Sequence, residues 1–278
     1  MTARKRKKMN VSRKLLYIFS YLFIAAWLIP IVWMFITSIT PRGESVTIIS
    51  ELFTPPFTWA NYEYVLENAM IWRWTFNSFF VASITTVLTL LLTSLAAFAL
   101  SRLRFVGRNL IFWLIIAGLM VPIEAMIVPL FQIMIELNIV NTYSALILPN
   151  LAMPLGVFLL KQFYDGVPNE LMEAAKMDGA GLLKIYWKIF LPLSRSSMAA
   201  LGIFTFIMSW NDFLWPFLAV NSESMFTLPV AIPTFQSSFS SELMIPMAVN
   251  TLASVPAIIV FILFQKHIIQ GIAMTGIK

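Results

Sequence analysis

Six long runs of apolar residues limit the folds open to this chain more than any other feature. A helix needs about 20 mostly apolar residues to cross the hydrocarbon core of a bilayer. The runs that approach or exceed this length are Leu15–Thr37, Phe79–Leu100, Leu110–Phe131, Tyr143–Leu160, Met198–Val220 and Leu243–Phe264. We therefore predict an all-α membrane protein with six transmembrane helices.

The composition agrees with lipid as the solvent of these runs. Charged residues make up 12% of the chain and hydrophobic residues 59%, with a mean hydropathy of +0.83, whereas soluble proteins average about 25% charged residues. The sequence has no cysteine, which excludes disulfides and thiolate metal sites. The single histidine, His267, has no second His or Cys near it, so we expect no bound metal.

The first run could instead be the apolar core of a secretory signal peptide. Leu15–Thr37, however, has 23 residues without a charge, which is longer than such a core, and no small-x-small cleavage site follows it directly. We predict an uncleaved first span.

The basic residues are distributed unevenly, and this predicts the orientation of the chain. Cytoplasmic segments carry an excess of Lys and Arg. With the N-terminus inside, only Arg42 and Arg73 of the 19 basic residues lie outside. We predict cytoplasmic termini, a basic tail over residues 1–14 and a transmembrane domain over 15–278. The net charge of +6 then indicates a flank beside anionic lipid, not nucleic-acid binding.

Small and hydroxylated residues recur at helical spacing along one face of the second span. Helices in lipid approach closely at such residues, and hydroxyl groups form hydrogen bonds across the contact. Helix packing and a channel-lining role both remain open for this face, which comprises Thr86, Thr89, Thr93 and Ala96.

The longest segments on the predicted outer side are about 38–78 and 221–242. They contain strand-like and turn-like stretches, such as "TPPFTWANYEYV", but too few residues for an independent domain.

The cytoplasmic loop 161–195 is too charged to cross the bilayer and too regular to be a plain connection. Pro168 and Asn169 are start signals for a short helix, and the glycines of Asp178–Gly181 are typical of a turn after a helix end. A second short helix follows and ends at Pro192. We expect an apolar face on the first helix at Leu171, Ala174 and Ala175 and on the second at Leu183, Tyr186, Trp187 and Phe190.

Two interpretations of this loop are open. An interfacial helix on the lipid headgroups explains the second half, but the shallow alanine face of the first half is a poor fit to lipid. A docking surface for a cytosolic partner explains both halves.

The loop resembles a motif of the permeases of binding-protein-dependent ABC importers. That motif runs E-A-A, then D-G-A, then I-x-L-P, and the matching positions here are Glu173, Ala174, Ala175, Asp178, Gly179, Ile189, Leu191 and Pro192. The stretches "NSFFVASITT", "MVPIEAMIVPLF", "SWNDFLWPF" and "FTLPV" resemble the carbohydrate branch, most closely the smaller permease of maltose-type systems. The tail "GIAMTGIK" is a looser match than the rest of the chain.

The resemblance implies a type I ABC importer permease fold in a bacterial or archaeal cell membrane. It implies that the loop is the coupling helix that docks on an ATPase, so the chain itself is not an enzyme. The partners implied are a second permease in a heterodimer, two ATP-binding subunits, an extracytoplasmic solute-binding protein and membrane lipid. "DGAGLLK" lacks the spacing of a P-loop, so ATP and Mg²⁺ belong to the ATPase and no cofactor to this chain.

Polar residues at membrane depth are candidates for the translocation path or its outer gate. Glu124 lies between two prolines, and a carboxylate there should face protein or water. Glu124 either lines the cavity of the translocation path or forms hydrogen bonds with backbone groups that Pro122 leaves unpaired. Trp210, Asn211 and Asp212 either lie near the path, as the resemblance implies, or form an interfacial aromatic belt together with Trp215 and local bonds.

The resemblance implies that this chain forms half of the translocation pathway for a sugar, specifically an oligosaccharide, that the binding protein delivers. An intramembrane enzyme is excluded by the lack of a paired catalytic set at one depth: Glu124, Asp212 and His267 fall at different depths. A channel or scaffold subunit without ATP coupling remains the alternative.

Overall fold

The computed structural model describes residues 11–43, 56–237 and 243–275, with side chains for 15–43, 56–237, 243–259 and 262. All regular structure in these ranges is helical. The α-helices are α1 (Val11–Ser38), α2 (Ala60–Asn68), α3 (Ile71–Arg102), α4 (Arg108–Ala117), α5 (Ile123–Glu136), α6 (Tyr143–Ile147), α7 (Pro154–Asp165), α8 (Asn169–Met177), α9 (Leu182–Ile185), α10 (Leu191–Leu193), α11 (Arg195–Trp210), α12 (Leu214–Ala219), α13 (Leu228–Ser237) and α14 (Met244–Thr275).

Shorter helical turns of other types join some of these helices. The 3₁₀ turns are Gly118–Met120, Leu148–Leu151 and Glu223–Met225, and a π-helical turn spans Tyr186–Phe190. The chain divides into two compact units. Unit 1 comprises Met1–Ala69 and Phe235–Leu252, and unit 2 comprises Met70–Thr234 and Ala253–Lys278.

In unit 1, α2 caps the end of the first apolar helix. The last carbonyls of a helix have no intrahelical partner, and buried Asn61 supplies one: its amide nitrogen donates to the carbonyls of Ser38 (2.9 Å) and Thr40 (2.8 Å). The hydroxyls of Ser38 and Tyr62 lie 2.6 Å apart. The strand-like interpretation of "TPPFTWANYEYV" is therefore wrong for the described residues, because 60–68 form this helix.

In unit 2, α3 is the central helix and packs against α7 and α11. The three helices approach closely at glycines: a Cβ on Gly156 would lie 3.1 Å from side-chain atoms of Leu201 and Thr93. Thr89 and Thr93 are buried and Thr86 is half-buried, and Thr93 donates back to the Thr89 carbonyl (2.6 Å). The hydroxylated face thus serves helix packing in unit 2.

Three pairs of consecutive helices are separated by sharp bends, two of which interrupt predicted apolar runs. The helix pairs Arg108–Met120 with Ile123–Glu136 and Tyr143–Leu151 with Pro154–Asp165 bend by 104° and 46°. Each break lies at the residue before a proline, which disfavours the α conformation there: Val121 and Met153 both have positive ψ, 116° and 84°. Leu182–Leu193 and Arg195–Trp210 bend by 77°.

Length and composition therefore support fewer uninterrupted spans than the six runs suggest. Leu15–Ser38 and Ile71–Arg102 are long and apolar enough to cross a membrane alone, and up to five spans result if each bent pair counts as one. The predicted fifth run, Met198–Val220, is not one helix: α11 ends at Trp210 and α12 begins at Leu214.

Candidate functional site

The first short helix of the loop 161–195, α8, has one buried residue and an exposed polar surface. Pro168 precedes it and Asn169 begins it, as predicted. Met172 is 7% exposed and packs into a core cluster together with half-buried Ala175. Of the three residues of the predicted apolar face, Leu171 and Ala174 are exposed and Ala175 is half-buried, so most of that face is open to a partner. Met172 anchors the helix, and every other residue of it except Ala175 is exposed.

The turn after α8 is a Schellman motif. The Ala180 N–H donates to the Ala175 carbonyl and the Gly179 N–H to the Lys176 carbonyl, both at 2.9 Å. Gly179 has φ of +74°, whereas Gly181 has φ of −70°. The left-handed glycine that the sequence predicted is therefore present, at Gly179.

The second half of the loop continues as α9, the π turn and α10. Ile185, Tyr186 and Phe190 are buried, whereas Leu183 and Trp187 are 69% and 50% exposed. The expected face of Leu183, Tyr186, Trp187 and Phe190 is thus only half right. In the π turn the hydrogen bonds join residues five apart, so side chains there do not follow the period of an α-helix. Pro192 lies inside α10, and the chain turns at Ser194 instead.

The eight motif positions fall into two groups. Glu173, Ala174, Asp178 and Gly179 are exposed, so they can contact another protein. The others are half-buried and support the loop from beneath: Ala175, Ile189, Leu191 and Pro192.

An aromatic cluster fastens the loop to α3. The ring of Phe98 lies 5.4 Å from that of Tyr186 and 5.0 Å from that of Phe190, measured between centroids. The hydroxyls of Ser94 and Tyr186 lie 2.6 Å apart, and those of Tyr164 and Ser194 lie 3.1 Å apart. Because these polar groups are buried, each needs its partner.

Arg102, the last residue of α3, holds the beginning of α8. Its guanidinium donates to the carbonyls of Tyr164 and Val167 and to Oδ1 of Asn169. The same group lies over the Phe190 ring, 5.0 Å from its centroid. We refer to these contacts as the inner clamp. Beside them, Asp165 accepts from Ser101 and from Lys161, each at 2.6 Å.

The other end of α3 holds a second segment, residues 223–228. Nδ2 of Asn77 donates to the carbonyls of Ser224 and Phe226, each at 2.9 Å, and the hydroxyl of Tyr143 donates to Oδ1 of Asn77 at 2.7 Å. Further bonds join Arg73 to the Ser224 carbonyl (3.1 Å), Trp74 to the Glu223 carbonyl (3.0 Å) and the Leu228 N–H to Ser78 (2.8 Å). We refer to these contacts as the outer clasp.

The predicted path residues do not form one site. Glu124 is exposed in the first turn of α5, and its side chain makes no hydrogen bond within the described chain; the expected bonding to backbone freed by Pro122 is absent there. Asn211 donates to the Ile207 carbonyl (2.8 Å) and Asp212 accepts from the Trp215 N–H (3.4 Å). Both therefore make the local bonds that end α11 and begin α12.

The interfacial aromatic belt is the wrong prediction for Trp210 and Trp215. Trp210 is 6% and Trp215 is 7% exposed, and Trp215 Nε1 donates to the Ala145 carbonyl at 2.8 Å. They are packed inside unit 2 rather than at a lipid surface.

Sequence reasoning missed Arg102 and Asn77 as organising residues, and it placed Tyr186 on an apolar face without predicting its hydrogen bond to Ser94. Arg102 was counted only as a basic residue at a span end, and Asn77 lies just before the predicted second span. A buried amide beside an apolar run is a signal for a hydrogen-bonded hub. Among the residues with described side chains, no group of three His, Cys, Asp or Glu could hold a metal; His267 lies outside them.

The two clamped loops lie at opposite ends of one long apolar helix, an arrangement expected of a membrane component with partners on both sides. The sequence profile of the family described as "binding-protein-dependent transport system inner membrane component" matches residues 89–274. The chain belongs to this family. It is thus an inner-membrane component of a binding-protein-dependent transport system, and the resemblance found in the sequence is confirmed.

Two relatives show how far the similarity extends. The arabinooligosaccharides transport system permease protein AraQ of Halalkalibacterium halodurans is 38% identical over 281 residues, covering 99% of both chains. The sn-glycerol-3-phosphate transport system permease protein UgpE of Yersinia enterocolitica is 34% identical over 253 residues, covering 88% of this chain and 90% of the other.

Two solved structures have the same fold as this chain. A chain from the crystal structure of a bacterial ABC transporter involved in import of the acidic polysaccharide alginate superposes with a TM-score of 0.78 at 24% identity, covering 94% of this chain and 99% of that one. A second alginate transporter structure, in complex with an alginate pentasaccharide-bound periplasmic protein, gives a TM-score of 0.62 at 12% identity, covering 91% and 94%. The predicted all-helical type I permease fold is confirmed.

Proposed function

We propose that this chain is the permease subunit of an ATP-driven ABC importer and forms half of the translocation pathway for an oligosaccharide. Membership of the family supports binding-protein-dependent transport. The names of two relatives, for arabinooligosaccharides and for sn-glycerol-3-phosphate, support a sugar or a small sugar-derived solute. A solute-binding protein delivers the substrate to the outer side.

The chain crosses the membrane six times, with both termini in the cytoplasm. The six spans are α1, α3, the two bent pairs that begin at Arg108 and Tyr143, the segment formed by α11 and α12, and α14. The excess of basic residues in the tail 1–14 and the loop 161–195 supports this orientation. The domain 15–278 pairs with a second permease to enclose the pathway.

The exposed surface of α8 is the observation that carries the coupling role. A short polar helix, held by Met172, the Schellman turn and the inner clamp, presents Glu173 and Ala174 outward without a partner in the described chain. Such a rigid projection fits a groove on a separate ATPase subunit. The complete importer contains two copies of this ATPase. ATP and Mg²⁺ bind there, and this chain is not an enzyme.

The energy requirement explains why the projection is rigid. Changing the ratio of outward-facing to inward-facing cavities from 1:99 to 99:1 requires the ATPase to bind the two states with free energies that differ by about 5.5 kcal/mol. ATP binding closes the ATPase pair and moves α8, and the inner clamp passes that movement to α3. Glu124, Trp210, Asn211 and Asp212 are assigned to the outer part of the pathway, Glu124 as a side chain facing the cavity and the other three as the break between α11 and α12.

Glu173→Ala tests the coupling surface. Loss of a charge-assisted hydrogen bond buried against the ATPase costs about 1.5–3 kcal/mol, so we expect co-purification of the ATPase and uptake to fall sharply while insertion stays normal. Lys184→Ala is the control, because Lys184 is also exposed but lies on the second half of the loop. Wild-type uptake with the ATPase bound in the Glu173→Ala variant would refute the coupling role.

The same preparation identifies the substrate class and tests the channel alternative. Arabinooligosaccharides and sn-glycerol-3-phosphate are offered separately to the cognate binding protein, and uptake is measured with and without ATP. We expect ATP-dependent uptake of the oligosaccharide. A purified lone chain that moves either solute down its gradient would favour the channel.

A further inference from the structure

Helix α3 is fastened by side-chain hydrogen bonds at both of its ends. At one end the outer clasp joins it to residues 223–228, and at the other the inner clamp joins it to the start of α8. Asn77 and Arg102, the main donors, are 25 residues apart, which in an α-helix corresponds to about 38 Å. The two hubs are therefore separated by more than the hydrocarbon thickness of a bilayer, which is about 30 Å.

The sequence of α3 suits a stiff connection. Its 32 residues include neither proline nor glycine, whereas the other two described helices of comparable length, α1 and α14, contain Pro30 and Pro256. Helix kinks arise mainly at such residues. A buried stripe runs along α3 from Trp74 to Leu100, so its sides are supported by packing as well.

Each hub binds backbone carbonyls in, or directly before, the segment that it holds. Asn77 donates to the carbonyls of Ser224 and Phe226. Arg102 donates to the Tyr164 and Val167 carbonyls, which precede α8, and to the side chain of its first residue, Asn169. A contact that holds backbone at several points transmits displacement of the whole segment. The two ends thus follow one another if α3 moves as a unit.

We infer that α3 is the strut that links the outer segment 223–228 to the coupling helix α8, with Asn77 and Arg102 as its two positioning residues. The inference rests on the proposed function, in which the outer side meets the solute-binding protein and α8 meets the ATPase. Contact of the loaded binding protein with the outer side shifts residues 223–228. Because the outer clasp joins these residues to α3, α3 moves with them. Because the inner clamp joins α3 to the start of α8, α8 then moves as well.

The test uses the complete importer in proteoliposomes and measures ATP hydrolysis with and without binding protein. The binding protein is loaded with whichever of the two solutes, arabinooligosaccharide or sn-glycerol-3-phosphate, stimulates wild type more. We expect Asn77→Ala and Arg102→Gln each to lower the ratio of stimulated to unstimulated hydrolysis at least fivefold in assembled complexes. The double variant should be no worse than the more severe single one, because both break the same link.

Matched controls come from the same chain. Asn68 is exposed and donates only to the local Tyr64 carbonyl, and Arg108 donates only to the nearby Leu103 carbonyl. Asn68→Ala and Arg108→Gln should keep the wild-type ratio. Ratios within twofold of wild type in the Asn77 and Arg102 variants, or a double variant whose loss is the product of the two single losses, would overturn the strut.

A measurement on the wild type decides the matter if a variant does not assemble. Amide hydrogen exchange should show α3 protected throughout while residues 164–181 change protection on addition of loaded binding protein. Rapid exchange in the middle of α3, or unchanged exchange at 164–181, would overturn the inference. A wild-type complex that neither solute stimulates would instead refute the proposed function itself.

Discussion

At the scale of single residues, the geometry of the loop 161–195 depends on a few positions with one physical task each. Gly179 supplies a left-handed backbone, Met172 supplies the buried anchor of α8, and Arg102 supplies donors to the carbonyls of Tyr164 and Val167. None of these residues needs to touch a partner to matter. Their substitution should therefore act on coupling through the geometry of α8.

Gly179→Val should disturb the turn after α8. A side chain at φ of +74° costs about 1–2 kcal/mol, although a Cβ there would meet no atom within 4 Å. We expect normal insertion but reduced ATPase co-purification and uptake. Gly181→Val is the matched control, because Gly181 has equal space and an ordinary φ of −70°. Equal uptake in the two variants would contradict the role assigned to backbone conformation.

The pair Ser94 and Tyr186 predicts an asymmetric double-mutant cycle. Ser94→Ala leaves the buried Tyr186 hydroxyl without a partner and should destabilise the chain by about 1–3 kcal/mol. Tyr186→Phe should cost less, since Ser94 also donates to the Leu91 carbonyl (3.1 Å). The double variant should resemble Tyr186→Phe in thermal unfolding of the purified complex. Additive losses would show that the two hydroxyls act independently.

At the scale of elements, prolines determine where the apolar helices bend, and glycines determine where helices pack closely. Prolines break the apolar runs at Val121 and Met153, and glycines allow α3, α7 and α11 to pack closely. Sequence length suggested continuous spans, but the residue before a proline avoids the helical conformation. The bent pairs follow from this local rule.

Gly156→Val tests the close packing of α3, α7 and α11. The added atoms would meet Leu201 and Thr93, whose side chains lie 3.1 Å from a Cβ on Gly156. Overpacking of this kind costs about 1–3 kcal/mol, measured as a lower unfolding temperature of the complex. In Gly118→Val the new Cβ lies at an ordinary 3.5 Å from Pro154 in an exposed turn, so a small effect is expected. A Gly156→Val complex as stable as wild type would contradict the packing argument.

At the scale of the whole molecule, the proposed topology puts the outer clasp and the inner clamp on opposite sides of the membrane. Single cysteines are easily detected because the natural sequence contains none. In sealed cells, a membrane-impermeant thiol reagent should label a cysteine at exposed Ser224 but not one at exposed Lys184. A cysteine at Glu51, outside the described residues, should label like Ser224. Labelling at Lys184 in sealed cells would refute the orientation.

Local features of the sequence were enough to predict the membrane class, the approximate apolar segments, α8 and its glycine turn. Apolar length, charge asymmetry and left-handed glycine are properties of a residue and its near neighbours, so they can be read without the fold. The same reasoning was half right for the second loop helix, where Tyr186 and Phe190 are buried but Trp187 is exposed and Ile185 is buried instead.

Contacts between distant segments decided the rest. Arg102 meets Val167 across 65 residues, Asn77 meets Ser224 across 147, and Trp215 meets Ala145 across 70. No periodicity within either partner indicates such a pairing, because a buried donor is satisfied by whichever carbonyl the packing brings to it. Which motif residues face outward, and which helix joins the two loops, therefore became apparent only once α3, α7 and α11 were packed together.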